Sequence, residues 1–183
     1  KDLRKVVILL AHPNIKESQA NKALVDAVSD MEGVAVFNLY ELSQEIAFNI
    51  DEWSKIISDA SAVIYQFPFY WMSAPSLLKK WQDEVFTFLS KTPAVAGKPL
   101  TVVTTTGSEY EAYRSGGRNR FTTDELLRPY QVSAIHSGMS WQTPIVVYGM
   151  GTADAGKNIA EGANLYKQRV EMLIGNSNAG NNW

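Results

Sequence analysis

The sequence predicts an α/β fold: a doubly wound parallel sheet of five strands with helices on both faces. Short, wholly apolar runs recur along the chain, as strands covered on both faces require. Segments with apolar residues at helical spacing lie between them. The two kinds of segment alternate throughout, which is the order of βαβ units.

The first strand is Val6–Leu10, five apolar residues ended by His12-Pro13-Asn14. Ser18–Met31 follows as a helix. Ser18 suits the N-cap, and Ala20, Leu24, Ala27, Val28 and Met31 keep one apolar stripe. Val34–Leu39 is the second strand. Asp51–Ala60 is a short helix with Trp53, Ile56, Ile57 and Ala60 on one face. Ala62–Gln66 is the third strand. Pro75–Leu89 is a helix that starts at proline, where the missing N–H costs nothing. Leu100–Thr105 is the fourth strand. Thr123–Ile135 is helical, kinked or divided at Pro129. Thr143–Tyr148 is the fifth strand, and Ala155–Ile174 closes the fold as an amphipathic helix. No repeat or linker interrupts the chain, so residues 1–175 form one domain and residues 176–183 a flexible tail.

Composition narrows the function. The 183 residues include no cysteine, which excludes disulfides, thiolate metal sites, iron–sulfur clusters and a thiol nucleophile. The lack of cysteine fits a cytoplasmic protein. A net charge of −2 gives no reason to expect nucleic acid as a partner. His12 and His136 are the only histidines, and no carboxylate–histidine spacing marks a metal site. The basic, then apolar, start is too short for a signal peptide. The charge-free stretches Ala60–Leu78 and Pro129–Ala153 contain breakers and read as buried strands with loops, not membrane spans.

In a doubly wound sheet, ligands bind beyond the carboxyl ends of the strands. Three loops lie there: Ala11–Ser18, Phe67–Ser76 and Thr104–Gly117. The first lacks the glycine patterns of P-loops and dinucleotide folds. It leads polar residues into a helix start, which is either a phosphate seat or a plain cap. In the second, Phe67, Phe69, Tyr70 and Trp71 must cover something: a flat ring, a partner subunit or the core. In the third, Thr105, Thr106, Gly107 and Ser108 allow close backbone approach, and their N–H groups can stabilise negative charge. Tyr113 is either a proton donor or a surface tyrosine.

Taken together, these loops resemble a known family. A-H-P-N with S-Q-A-N (Ala11–Asn14, Ser18–Asn21), F-P-F-Y-W-M-S-A-P-S-L-L-K-K-W-Q-D-E-V-F (Phe67–Phe86) and T-T-G-S (Thr105–Ser108) are similar to the flavodoxin-like NAD(P)H:quinone oxidoreductases. A-Y-R…N-R-F and L-L-R-P-Y (Ala112–Tyr130) resemble the branch holding general stress protein 14 and the ancillary subunits of glutathione-regulated potassium-efflux systems.

The resemblance implies a flavodoxin-like fold and a bound flavin, FMN with FAD as the alternative. It implies that His12, Ser18, Gln19, Ala20 and Asn21 hold the phosphate. Pro68, Phe69, Tyr70, Trp71 and Met72 would run along the isoalloxazine, and Thr105, Thr106, Gly107 and Ser108 would meet its pyrimidine edge. Tyr113 and Tyr110 would act on the acceptor. Larger relatives have a histidine six residues after this tyrosine, where this chain has Asn119, and a glycine where it has Ser108. The implied reaction passes hydride from NAD(P)H to the flavin and then to a quinone. A homodimer is implied, with its face among the aromatics of Phe67–Phe88 and Trp141. The alternative is a regulatory subunit that docks at the inner face of the membrane on a potassium-efflux transporter, with flavin as a structural or sensing group.

Overall fold

The computed structural model describes residues 5–42 and 48–175. The expected tail 176–183 lies outside the described residues. Strand β1 (Val6–Leu10) pairs in parallel with β2 (Val34–Asn38) on one side and β3 (Ala62–Pro68) on the other. β4 (Pro99–Thr105) pairs with β3, and β5 (Ser140–Trp141) and β6 (Ile145–Val147) both lie along β4. The order is therefore β2-β1-β3-β4, with a fifth position filled by two short pieces. Each of these five strand pairings is parallel, as the alternating pattern predicts.

That fifth position departs from the single strand expected at 143–148. Ser140 and Trp141 sit opposite Pro99 and Leu100, whereas Ile145–Val147 sit opposite Val103–Thr105. Pro144 falls between the two pieces and has no N–H to give the ladder. β3 runs two residues longer than expected, because Phe67 and Pro68 still pair with Thr104 and Thr105.

The helices are α1 (Ala20–Ser29), α2 (Leu39–Leu42), α3 (Ile50–Asp59), α4 (Ser76–Trp81), α5 (Thr87–Leu89), α6 (Thr123–Leu126), α7 (Arg128–His136) and α8 (Ala155–Gly175). A π-helical turn at Gln82–Phe86 joins α4 to α5, so the single helix expected from Pro75 to Leu89 carries one widened turn. With it, Trp81, Val85, Phe86 and Leu89 all face inward. Pro129 divides the next helix as expected and sits in the first turn of α7. Leu39 opens α2 instead of ending β2.

Successive strand residues face opposite sides, which creates two cores. Val6, Ile8, Ile64 and Val103 pack under α1 and α8, against Leu24, Val28, Tyr166 and Val170. Val7, Leu9, Val63 and Val102 pack under α3, α4 and α7, in a core rich in aromatics. There Trp53 meets Phe37 and Trp81 edge-on at 5.4 and 5.5 Å. Phe67, Trp81, Phe86 and Trp141 are all buried. They fill the core and cannot supply the subunit face expected of them. From that stretch Tyr70, Trp71 and Phe88 remain exposed.

Candidate active site

The parallel ladder brings three strand ends to one edge, and the hydrogen bonding continues past them. Ala11 N–H bonds Gln66 O at 2.9 Å, Phe69 N–H bonds Thr105 O at 2.9 Å, and Thr106 N–H bonds Val147 O at 2.9 Å. The loops after β1, β3 and β4 therefore start as neighbours.

In the loop after β1, His12 is half-buried, and its Nδ1 accepts the Asn14 N–H at 3.0 Å. In the neutral ring this leaves the proton on Nε2. Burial pushes the His12 pKa below its ordinary value, so the ring is a neutral donor. Ser18 Oγ accepts the Asn21 N–H at 3.0 Å and caps α1. The N–H groups of Gln19 and Ala20 have no protein acceptor among the described residues. A helix start with free N–H groups fits an anionic group, and His12 earlier in the same loop is a further donor.

Asn21 is placed differently from expectation. It is buried, and its Nδ2 donates to Thr105 Oγ1 at 3.1 Å. Gln66 Nε2 donates to Asn21 O at 3.0 Å and approaches Asn21 Oδ1 at 3.4 Å. Tyr166 donates its hydroxyl to Gln66 Oε1 at 3.0 Å. The Asn21 amide thus holds the end of β4 instead of facing the loop. Gln66 and Tyr166 take part in this support without any local motif to announce them.

In the loop after β3, Pro68 ends the strand and is buried, so it shapes the loop from beneath. The ring of Phe69 stacks on Phe67 at 6.5 Å and meets the edge of Tyr113 at 6.2 Å. Tyr70 and Ser73 exchange backbone hydrogen bonds at 2.8 and 3.2 Å, which closes a two-residue turn. Its central residues, Trp71 and Met72, have φ of 50° and 65°. This left-handed pair suits Asn-Gly, and here two bulky side chains hold it. Trp71 is 97% exposed at the tip. From α7, the Tyr130 hydroxyl accepts the Ala74 N–H at 3.2 Å and contacts Ser73 Oγ at 3.2 Å, which anchors the turn.

The loop after β4 is held from behind. Met150, Gly151 and Gly149 donate their N–H groups to the carbonyls of Thr106, Gly107 and Ser108 at 2.9, 2.9 and 2.8 Å. With those carbonyls tied, the N–H groups of Gly107 and Ser108 have no protein acceptor among the described residues. A Cβ on Gly107 would meet nothing within 4 Å, so a ligand edge can come close. Thr105 and Thr106 are buried and contribute backbone. The Gly149–Gly151 buttress escaped the sequence reading. Two glycines flanking one residue just after a strand end were its signal.

Tyr113 follows this loop in the chain and packs between Phe69 and Tyr148. It sits on a short 3-10 turn, Tyr110–Tyr113, and is 4% exposed. It is therefore a buried residue, not a surface tyrosine. Burial pushes its pKa up and Glu109 adds to the rise, while the nearby Ser108 and Thr106 side chains and the charge of Arg118 oppose it. Tyr148 packs 5.9 Å from Tyr113 and shares a 2.6 Å hydrogen bond with Thr123. Tyr110 is half exposed, edge-on to Tyr148 at 5.2 Å, with the Arg114 guanidinium 5.3 Å from its ring. Asn119 spends its backbone N–H on Ala112 O at 2.9 Å. It is Arg118, one residue earlier, that reaches the loop, donating to Ser108 Oγ at 2.7 Å.

A family model described as a flavodoxin-like fold matches residues 4–170. The chain belongs to this Flavodoxin_2 family. General stress protein 14 of Bacillus subtilis is 34% identical over 172 residues, covering 92% of this chain and 98% of that protein. An NAD(P)H oxidoreductase of Bacillus subtilis, YdeQ, is 35% identical over 94% of this chain and 89% of its own length. The glutathione-regulated potassium-efflux ancillary protein KefG of Serratia proteamaculans is 36% identical over 79% of this chain and 81% of its own.

Among solved structures, general stress protein 14 of Treponema denticola in complex with FMN superposes with a TM-score of 0.84 at 29% identity, covering 92% of this chain and 99% of that one. An NADPH-quinone reductase from P. pentosaceus superposes at 0.77 with 27% identity, covering 90% and 96%. The Flavodoxin_2 match spans all three loops described above, from the residues before β1 into α8.

Proposed function

We propose that this chain is a flavin-dependent NAD(P)H:quinone oxidoreductase that uses FMN. One observation carries the reading: the carbonyls of Thr106, Gly107 and Ser108 are tied from behind, which leaves the N–H groups of Gly107 and Ser108 without a protein acceptor among the described residues. Relatives named for NAD(P)H oxidoreductase, quinone reductase and FMN support it. When bound, FMN supplies the two-electron chemistry, taking hydride from NAD(P)H and yielding it to a quinone.

The residues present fit that group. The free N–H groups of Gln19 and Ala20, with His12 Nε2–H and Ser18, suit its phosphate. The Trp71–Met72 turn and Phe69 offer apolar surface for a flat ring, and the N–H groups of Gly107 and Ser108 favour negative charge at its edge. Tyr113 holds its hydroxyl proton at neutral pH, because burial raises its pKa, and can give it to an acceptor oxygen. Tyr110, half exposed beside Tyr148, suits orientation of the acceptor. A homodimer is part of the reading, with exposed Trp71 and Phe121 available to cover the open side. Residues 1–175 act as one domain.

The purified protein is expected to be yellow, to release FMN and to oxidise NADH or NADPH with menadione. Failure to take up FMN or FAD would overturn the reading. The KefG relatives support a second reading, a regulatory subunit docked on a transporter. Stoichiometric FMN without turnover would favour it. Among the described residues no helix is long and apolar enough to cross a membrane, so such docking would be peripheral.

A further inference from the structure

The stretch Arg114-Ser115-Gly116-Gly117-Arg118-Asn119-Arg120 carries three arginines and no acid, in a chain of net charge −2. Two turns shape it. Gly117 N–H bonds Arg114 O at 2.8 Å, with Gly116 at a φ of 86° inside that turn. Arg120 N–H bonds Gly117 O at 3.1 Å, and Arg120 itself holds a left-handed φ of 63°. A Cβ at Gly117 would run into the Glu111 and Ala112 carbonyls, so only glycine lets the stretch fold back on the Tyr110–Tyr113 turn. Asn119 N–H then ties it to Ala112 O at 2.9 Å.

The folded stretch borders an open hollow of about 480 Å³, lined by Ser115, Gly116, Gly117, Arg118 and Arg120. Two guanidinium groups are its only charged lining. The third, on Arg114, lies over the Tyr110 ring. Arg118 Nη2 donates to Ser108 Oγ at 2.7 Å and stands 3.9 Å from the Glu109 carboxylate. Both contacts use Nη2, so Nε and Nη1 of Arg118 have no protein acceptor among the described residues. The Arg120 guanidinium has neither an ion pair nor a hydrogen bond among them. The N–H groups of Ser115, Gly116 and Arg118 also lack a protein acceptor among them. Unspent donors and positive charge around one hollow fit a phosphate, which a planar guanidinium binds through two parallel hydrogen bonds. The Ser108 contact sets the hollow within one arginine side chain of the loop after β4. Both arginines are exposed, as a group that arrives from solvent and returns to it requires.

We propose that this hollow binds the 2′-phosphate of NADPH, with Arg118 and Arg120 as the residues that select NADPH over NADH. The proposal rests on the reading under Proposed function, which brings a reduced nicotinamide nucleotide to this edge of the sheet. The two nucleotides differ only in that phosphate. As a monoester it carries a charge of about −1.5 to −2 at pH 7 and three acceptor oxygens. The pyrophosphate common to both nucleotides carries one charge on each phosphorus. Two guanidinium groups with unspent donors match the monoester better. Ser108 holds Arg118 in place for it.

The test uses protein loaded with FMN. Calorimetry with adenosine 2′,5′-bisphosphate and with adenosine 5′-monophosphate reads the added phosphate without turnover. The bisphosphate is expected to bind about tenfold tighter, and the double variant Arg118→Gln, Arg120→Gln to erase the difference. Arg118→Lys with Arg120→Lys is expected to keep part of it, because the charge remains and the fork is lost. With menadione as acceptor, kcat/KM is expected to favour NADPH over NADH by about tenfold, and the double glutamine variant to lose that ratio. FMN content and melting temperature report the folding of each variant separately. Equal binding of the two adenosine phosphates to the native protein would overturn the site and leave the functional reading standing. So would an equal loss of kcat/KM for NADH and NADPH in the double variant, which would place the shared pyrophosphate there instead. Protein that takes up FMN but oxidises neither nucleotide would overturn the functional reading and this site with it.

Discussion

Tyr166 and Gln66 stand one hundred residues apart in the chain and share a 3.0 Å hydrogen bond inside the core. Through Gln66 the bond reaches Asn21, and through Asn21 it reaches Thr105. Four buried polar residues thus tie α8, β3, α1 and β4 together. They fix the separation between the start of α1, where a phosphate suits, and the end of β4, where a ring edge suits. A buried polar chain is stable only when each member is satisfied.

Breaking that chain should be costly. Tyr166→Phe removes one donor and leaves Gln66 Oε1 buried without it, with an expected loss of about 1–2 kcal/mol. Gln66→Leu strands both Asn21 and Tyr166, and should cost more, about 3 kcal/mol. Urea unfolding of the two variants checks the order. Equal midpoints in both variants and the native protein would mean that the network adds nothing to stability.

Two glycines of α8 should respond in opposite directions. A Cβ at Gly162 would lie 2.4 Å from Val147 Cγ2, where the helix crosses β6. Gly162→Ala should therefore destabilise by about 1–3 kcal/mol through overpacking. Gly156 has nothing within 4 Å of its Cβ position. Gly156→Ala should stabilise by about 0.5 kcal/mol, from helix propensity alone. Thermal melts of the pair would show whether packing of α8 or its propensity governs this edge.

The strands were legible because Val6–Leu10 and Ala62–Gln66 are apolar on both faces, a signal that needs no tertiary context. The loops of the candidate site were legible for a related reason: residues beyond the carboxyl end of a parallel strand have few places to go. What the sequence concealed is the support behind those loops. The three N–H groups of Gly149–Gly151, the Tyr130 hydroxyl and the Gln66 amide act across 40 to 100 residues, and no local spacing encodes such reach. The aromatic surplus misled for the opposite reason. Trp81 and Trp141 look available in sequence, yet the volume between the sheet and α3, α4 and α7 needs them.

The strained turn offers a separation of stability from function. Trp71 and Met72 hold φ of 50° and 65°, values that glycine adopts without strain. Trp71→Gly should leave stability unchanged or raise it by about 1 kcal/mol. It also removes the large exposed ring at the tip of the loop after β3, so FMN affinity should fall. A variant with a higher melting temperature and weaker FMN binding would show that the strain serves the ligand. Unchanged FMN affinity would remove Trp71 from the site.

His12 should leave a mark on the pH dependence of stability. Its pKa in the folded protein lies below the ordinary 6.5 because burial disfavours the charged ring. Above pH 6.5 the ring is neutral in both folded and unfolded chains and contributes no slope. As pH falls below 6.5, the unfolded chain takes the proton first, so stability drops with it. Protonation of Nδ1 would also end its acceptance of the Asn14 N–H. His12→Gln should flatten this part of the urea midpoint against pH. Adding FMN to the native protein should flatten it too, because a phosphate beside Nε2 favours the charged ring. If FMN left the slope as steep as before, the phosphate would have to sit away from His12.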